Sequence, residues 1–398
     1  MSAHRIVILG GGYAGIMAAQ RLAHNRHVDI TLINGSAMFV ERVRLHQRAA
    51  REETRHKHPI ADLLRGTQVK FITGWVQGID TEQRRVTYAA ERGAAEIEYD
   101  TLVYALGSTI DRDSVPGVRR FAHVLTPDGA PALHDTLAAL PPGAQVVVCG
   151  GGLTGIETVT ELAEEYPQLY MTLLTADRAG ATLSRKGRAH LRKVFDQMGI
   201  TCREGQAVSR IEADAVVVGD ERLPYDAVVW AGSFSVSPLA REAGFAVNAR
   251  GQIIVDTAMR SISHPDVFAV GDAAYSADQA VPLRMACATA LPMGAQAASN
   301  IIAGLEGKPA QPLPYRYYFQ CISLGRREAL IQMVNADDTP REFIITGRMG
   351  ALYKEMICRF AYESLKMERY LPGMYRMPDA PIAMKRQMRS DQVHSQGV

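Results

Sequence analysis

One short glycine-rich pattern occurs twice in this chain, and both times it is flanked in the same way. The first copy, Gly10-Gly11-Gly12-Tyr13-Ala14-Gly15, follows the apolar run Arg5-Ile6-Val7-Ile8-Leu9 and leads into Ile16-Met17-Ala18-Ala19. The second, Gly150-Gly151-Gly152-Leu153-Thr154-Gly155, follows Val146-Val147-Val148-Cys149 and leads into Ile156-Glu157-Thr158-Val159. Each reads as strand, tight turn and helix, so the chain is constrained to an α/β fold with two parallel-sheet units.

Each glycine has a separate physical task. Gly10 and Gly150 allow the turn, Gly12 and Gly152 let the backbone approach a pyrophosphate, and Gly15 and Gly155 let the helix pack on its strand. Free N–H groups and the dipole at the start of the following helix favour bound phosphate, with Tyr13, Ala14 and Thr154 at that helix start. A single fingerprint is weak, but two in the correct strand-to-helix context point to two dinucleotides. A flavin and a nicotinamide exchanging a hydride are the expected pair.

A chain of 398 residues is too long for one ordinary core, and a hydrophobic fraction of 47% supports compact folding. The formal net charge of +2 gives no nucleic-acid footprint, and the charged run from Arg48 to His58 mixes both signs and reads as a solvated face. The cysteines Cys149, Cys202, Cys287, Cys321 and Cys358 are scattered without a CxxC pair, which disfavours a disulfide framework or a metal site and suits a reducing cytoplasm. The first strand starts close to Met1, leaving no room for a signal peptide, and no apolar stretch approaches membrane-spanning length.

Further strands are expected at Val28–Ile33, within a β-rich stretch over 69–103, at Thr101–Leu106, at Tyr170–Leu174 and at Ala227–Ala231, the last closing on Gly232-Ser233. Another buried strand, Asp266-Val267-Phe268-Ala269-Val270, ends in Gly271-Asp272. A helix is expected from Pro292, since proline suits the first helical position, with the amides of Gly294, Ala295 and Gln296 free to face a bound group. Strands at Arg316–Phe319 and Leu330–Val334 and a helix over about 347–365 complete the reading.

This set of motifs resembles the flavoproteins with two dinucleotide-binding domains, the superfamily of glutathione reductase, ferredoxin reductases and type II NADH:quinone oxidoreductases. The resemblance rests on Gly10-x-Gly12-x-x-Gly15, Ala105-x-Gly107-Ser108, Gly150-x-Gly152-x-x-Gly155 and Val270-Gly271-Asp272 in the family's order. It implies two Rossmann-like domains and a C-terminal α+β domain. The FAD domain would span 1–112 and 256–310, the NAD(P)H domain would be inserted at 113–255, and the C-terminal domain would cover 311–398. It also implies that the first fingerprint holds the ADP part of FAD and that Asp272 binds the ribityl chain.

The disulfide reductases of that superfamily carry paired cysteines where this chain has Phe39 to Arg48 without cysteine, so thiol relay chemistry is excluded there. The segment from Gly150 to Glu157 is most similar to the type II NADH dehydrogenase branch, which implies that Glu157 adjoins the nicotinamide. The plain alternative is a first-turn glutamate complementing the helix dipole. Ala295-Gln296-Ala297-Ala298 is similar to that branch's quinone-side motif, with Asn300 replacing its second glutamine; otherwise Gln296 simply lines a helix start. His46 and Lys354 are candidates for supplying protons or polarising a carbonyl, against the alternative of surface or packing roles.

Two departures concern ribose recognition. Asn34 stands where an acid about twenty residues after the first fingerprint is expected, and Thr175-Ala176-Asp177-Arg178 stands at the corresponding place in the second unit. Arg178 suits the 2′-phosphate of NADPH or is a surface arginine, so NADH and NADPH both stay open. Leu352, Met356 and Phe360 recur at helical spacing beside Arg348, Arg359 and Lys366. That face suits peripheral contact with the inner face of the cell membrane, packing on the FAD domain, or a homodimer.

The expected activity is FAD-dependent dehydrogenation of NAD(P)H with a quinone or quinone-like acceptor. A soluble flavin oxidoreductase of a biosynthetic intermediate and a redox-sensing NAD(P)H-binding flavoprotein are the rivals. A sulfide:quinone oxidoreductase would need cysteines at the flavin, for which only Cys287 or Cys321 qualify.

Overall fold

A computed structural model describes residues 3–51, 56–91, 93–277 and 283–375. The chain opens with strand β1 (His4–Leu9), helix α1 (Tyr13–Leu22) and strand β2 (Val28–Asn34), followed by a short helix α2 (Leu45–Ala50). A meander follows as β3 (Lys70–Asp80), β4 (Arg85–Ala90) and β5 (Gly93–Glu98), and the chain returns through β6 (Thr101–Tyr104).

The second unit contains β7 (His123–Val124), β8 (Gln145–Cys149), α3 (Leu153–Glu165), β9 (Tyr170–Leu174), α4 (Arg185–Met198), β10 (Thr201–Arg203) and β11 (Ala227–Trp230). Strand β12 (Val267–Ala269) and helix α5 (Cys287–Leu305) return to the first unit. The C-terminal part consists of β13 (Phe319–Ser323), β14 (Ala329–Val334), β15 (Pro340–Ile345) and helix α6 (Gly347–Tyr370).

The larger sheet has the order β12-β6-β1-β2-β3-β4-β5, parallel from β12 to β3 and antiparallel through the meander. The second sheet, β7-β11-β8-β9-β10, is parallel throughout. In both, the strand that precedes the glycine turn lies inside the sheet, and the chain crosses to opposite sides of it. The glycine turns therefore sit at the point where strand order reverses, the place where open α/β sheets bind ligands. The strands leading into the turns do not alternate between buried and exposed positions. Ile6, Val7, Ile8 and Leu9, like Val146, Val147, Val148 and Cys149, are all buried, as expected when helices cover both sheet faces.

Four expectations need correction. Helix α5 starts at Cys287, and Pro292 lies inside it. The local start signal loses because Thr289, Ala290 and Leu291 are buried in the core, and burial of that extra turn outweighs the helix bond that proline cannot make. Arg48 is buried, so the run beginning there is not simply a solvated face. Its Nη1 donates to the Pro127 carbonyl at 3.2 Å, while residues 52–55 of that run lie outside the described residues. The strand expected from Arg316 begins only at Phe319, and β15 joins it through β14 as a third strand.

Helix α6 also runs to Tyr370, beyond the expected end. Its inner face buries Cys358, Ala361, Leu365 and Glu368. The Glu368 carboxylate accepts from Arg21 Nε of α1 at 2.6 Å, and Arg21 Nη1 also donates to the Ala295 carbonyl of α5 at 3.1 Å. One arginine thus ties three helices together. No described helix is long and apolar enough to cross a membrane.

Candidate active site

The two cradles are built alike at the level of backbone sterics. Gly10 has φ 101° and Gly150 has φ 129°, both left-handed, and a Cβ at either would overlap a carbonyl oxygen, of Ala105 or Ala231. A Cβ at Gly15 or Gly155 would overlap the carbonyl of Gly10 or Gly150. At Gly12 and Gly152 it would meet nothing within 4 Å. The middle glycine of each turn therefore faces open space, where a phosphate can approach the free amides of the helix start.

Around the first cradle the residues fit a bound flavin dinucleotide. The Gly11 N–H donates to Asn34 Oδ1 at 2.8 Å, and Asn34 Nδ2 donates to the Ser36 carbonyl at 2.7 Å, so Asn34 fastens the turn to the end of β2. The Tyr13 hydroxyl is buried and has no hydrogen-bond partner among the described residues. Ser108 Oγ donates to Asp272 Oδ2 at 2.6 Å, and Arg42 Nη1 donates to the Ser108 carbonyl at 2.6 Å. This brings Gly107-Ser108 and Gly271-Asp272 together, both glycines being left-handed. Burial raises the Asp272 carboxyl above its ordinary range, with Ser108 and Arg42 opposing that shift.

At the second cradle Thr175 packs against Gly151, where a Cβ would overlap its hydroxyl, and Gly232 lies against the Trp230 indole. Arg178 is exposed on the loop after β9.

Helix α3 starts at the second cradle and carries Glu157 inward. There Glu157 Oε1 accepts from Lys354 Nζ of α6 at 2.7 Å and from the Ser323 N–H of β13 at 3.0 Å. Lys354 Nζ also donates to the Cys321 carbonyl at 3.1 Å. From α2, His46 places Nδ1 3.9 Å from Glu157 Oε2, while its Nε2 is buried without a hydrogen-bond partner among the described residues. Three of the four residues expected to be catalytic thus converge from segments far apart in sequence.

The electrostatics of this cluster follow from burial set against charge. Burial would raise the Glu157 carboxyl, but Lys354, by charge and hydrogen bond, and the Ser323 N–H pull it below its ordinary range. Burial opposes the Lys354 charge, yet its neighbours Cys321 and Glu157, the latter hydrogen-bonded to it, outweigh that cost, and the ammonium is held well above its ordinary range. Burial pushes His46 down to about 4, so its imidazole is neutral near pH 7. The group is therefore a carboxylate–ammonium pair beside a neutral imidazole.

Gln296 does not join it. Because α5 begins more than a turn earlier than expected, Gln296 lies well inside the helix, its Nε2 donating to the Gln311 carbonyl at 2.9 Å and to Asn300 Oδ1 at 3.3 Å. Ala295 is buried, with its carbonyl engaged by Arg21. The first turn of that helix is formed by Cys287, Ala288 and Thr289 instead.

Glu161 was not singled out by sequence, although its spacing one turn after Glu157 is a usable signal. Its side chain is fully buried, and both oxygens lack a hydrogen-bond partner among the described residues, with Arg326 Nε 3.6 Å from Oε1. Burial pushes its carboxyl up to about 7 despite Arg326 and Arg51. A cleft of about 810 Å³ opens over the cluster, lined by Lys354, Ser323, Arg326, Arg44, Glu355 and Tyr362 among others. Arg44 forms a two-point pair with Glu355 of α6 at 2.7 and 2.8 Å, which fixes one wall.

Residues 4–300 match the pyridine nucleotide-disulphide oxidoreductase family. The chain belongs to that family. It is 30% identical over 353 residues to a NADH dehydrogenase-like protein of Mycobacterium tuberculosis, covering 82% of this chain and 87% of that protein. It is 24% identical over 388 residues to the type II NADH:quinone oxidoreductase of Staphylococcus saprophyticus, covering 89% and 94%. Among solved structures, the sulfide:quinone oxidoreductase of Aquifex aeolicus superposes with a TM-score of 0.79 at 21% identity, covering 93% of each chain, a likeness of fold. The expected fold class of two Rossmann-like units with a C-terminal α+β part agrees with the family and the sheets.

Proposed function

We propose that this chain is an FAD-dependent NAD(P)H dehydrogenase that passes electrons to a quinone, with the Glu157–Lys354–His46 cluster at the place where donor and acceptor meet. The single observation that carries the site assignment is the convergence of those three side chains at the inner end of the second cradle. Similarity to NADH:quinone oxidoreductases over nearly the full chain supports the donor and acceptor classes.

Bound FAD supplies the chemistry of accepting a hydride and releasing electrons. Gly10, Gly12, Gly15, Asn34, Ser108 and Asp272 would hold it, and Gly150, Gly152 and Gly155 would seat the nicotinamide dinucleotide. The protein then contributes orientation and electrostatics. Quinone reduction requires two protons and builds negative charge on the quinone oxygens, and the Lys354 ammonium, which lines the cleft and stays charged beside Glu157, would polarise a quinone carbonyl there. Neutral His46 presents an unpartnered Nε2 to the same interior, and Glu161 one turn away, its carboxyl raised to about 7, exchanges a proton near neutral pH.

The outer face of α6 supports contact with a membrane surface. Met349, Leu352, Met356 and Phe360 lie along it, 53–68% exposed, with Arg348 and Arg359 beside them. Exposed apolar side chains flanked by cations suit an anionic lipid surface, which would deliver a lipid-soluble quinone to the adjoining cleft. Residues 376–398, the end of the polar tail, lie outside the described residues.

Anaerobic stopped-flow absorbance tests the reading. Rapid bleaching of the flavin band by NAD(P)H, followed by rapid reoxidation with a menaquinone analogue, is the expected result. Bleaching without reoxidation by any quinone would remove the acceptor assignment and favour a redox sensor. Cosedimentation with anionic vesicles tests the face of α6, and a dimer in solution that persists without vesicles would assign that face to a second copy instead.

A further inference from the structure

The loop after β9 folds back onto the second cradle, because the Gly180 N–H donates to the Gly151 carbonyl at 3.1 Å. Arg178 stands two residues before that tie, exposed and without an ion-pair partner among the described residues. Facing it, α4 sets Arg185, Arg188 and Arg192 on one side of the helix through their spacing. Together with Lys193 they line a cleft of about 870 Å³ beside the loop.

Two acids also line this cleft, Glu204 and Asp196. Glu204 is engaged, accepting the Ala179 N–H at 3.0 Å and pairing with Arg192 at 3.1 Å. Asp177, on the same loop, accepts the Arg178 N–H at 2.8 Å and does not line the cleft. The strand end itself carries Thr175, packed on Gly151, in the place of an acid.

In this fold the pyrophosphate sits at the helix start and the adenosine ribose lies over the end of the second strand, where a carboxylate suits a 2′-hydroxyl and an arginine suits a 2′-phosphate. We infer that the second cradle selects NADPH over NADH, with Arg178 and Arg185 gripping the 2′-phosphate and Arg188 and Arg192 strengthening the positive field around it. Planar guanidinium groups bind phosphate through paired, charge-assisted hydrogen bonds. The inference rests on the second cradle being the nicotinamide site.

Calorimetry on the FAD-loaded protein with adenosine 2′,5′-bisphosphate and with 5′-AMP isolates the subsite from turnover. The bisphosphate should bind at least about tenfold more tightly, and Arg178→Ala and Arg185→Ala should each erase about tenfold of that preference without changing flavin content. In stopped flow, flavin reduction should half-saturate at a correspondingly lower concentration of NADPH than of NADH. Equal binding of the two fragments, or a preference unmoved by both substitutions, overturns the inference. If neither dinucleotide bleaches the flavin while the fragment preference stands, the dehydrogenase reading fails and the phosphate subsite survives.

Discussion

The two cradles share one backbone solution and differ in how they are enclosed. In the first, Tyr13, Ala14 and Gly15 are all buried, and α5 presses so closely on α1 that a Cβ at Gly294 would overlap the Ala14 carbonyl. In the second, Leu153 and Thr154 remain half-buried, and the adjoining loop borders an open basic cleft. A dinucleotide in the first is walled in by a second helix, which suits a cofactor retained through turnover. The more open surroundings of the second would suit an exchanging co-substrate. The glycine patterns thus give both turns the same backbone shape, while the neighbouring elements make their surroundings differ.

The sharpest break of that comparison is Gly15→Val against Gly155→Val, since each introduces a side chain onto a carbonyl oxygen. Gly15→Val should yield protein largely without flavin, measured by the ratio of flavin to protein absorbance. Gly155→Val should keep its flavin and lose reduction by NAD(P)H, with overpacking of this kind costing about 1–3 kcal/mol or more. Loss of flavin from both would show that the two cradles are not independent.

Next in size is Glu157→Gln, which leaves Lys354 without its carboxylate. Flavin reduction or reoxidation should slow by about 10–100-fold at unchanged flavin content, and Lys354→Gln in the same background should add little, as expected for a coupled pair. Additive losses in the double variant would mean that the two residues act separately.

Glu161→Gln probes the interior side of the second unit. The folded-state pKa of Glu161 is raised to about 7, above that of an exposed glutamate, so the folded protein holds a proton that the unfolded chain releases. Its contribution favours folding at low pH and is lost as pH rises toward and through 7. The glutamine variant should therefore gain on the order of 2 kcal/mol over the parent at pH 8, and the gap should close near pH 5, measured by denaturant unfolding. A gap independent of pH would place the effect in packing.

The smallest effect is expected for Asn34→Asp. The acceptor for the Gly11 N–H is kept and only the donation to the Ser36 carbonyl is lost, so stability should change by about 1 kcal/mol and flavin retention should hold. A large loss of flavin would show that the uncharged amide itself is required.

The strands flanking both glycine turns, the turns and the ends of Tyr170–Leu174 were legible because local rules decide them: continuous apolar runs, then residues that only glycine geometry allows. His46, Glu157 and Lys354 could be named one at a time, but their meeting could not be read, since it depends on α2, α3 and α6 packing around β13. The start of α5 misled for a related reason. Pro292 is a valid first-turn signal, and only the burial of Thr289 to Leu291 shows that the helix begins earlier.

By itself, then, the sequence determined two glycine turns, each between a parallel strand and a helix, because steric demands on glycine and the period of apolar residues act within a few positions of chain. Tertiary structure decided that Glu157 pairs with Lys354, that Gln296 lies within a helix away from that pair, that Arg48 is buried, and that α4 turns its arginines toward Arg178. Those outcomes depend on which distant surfaces exclude water from one another, and burial and charge balance of that kind belong to the assembled fold.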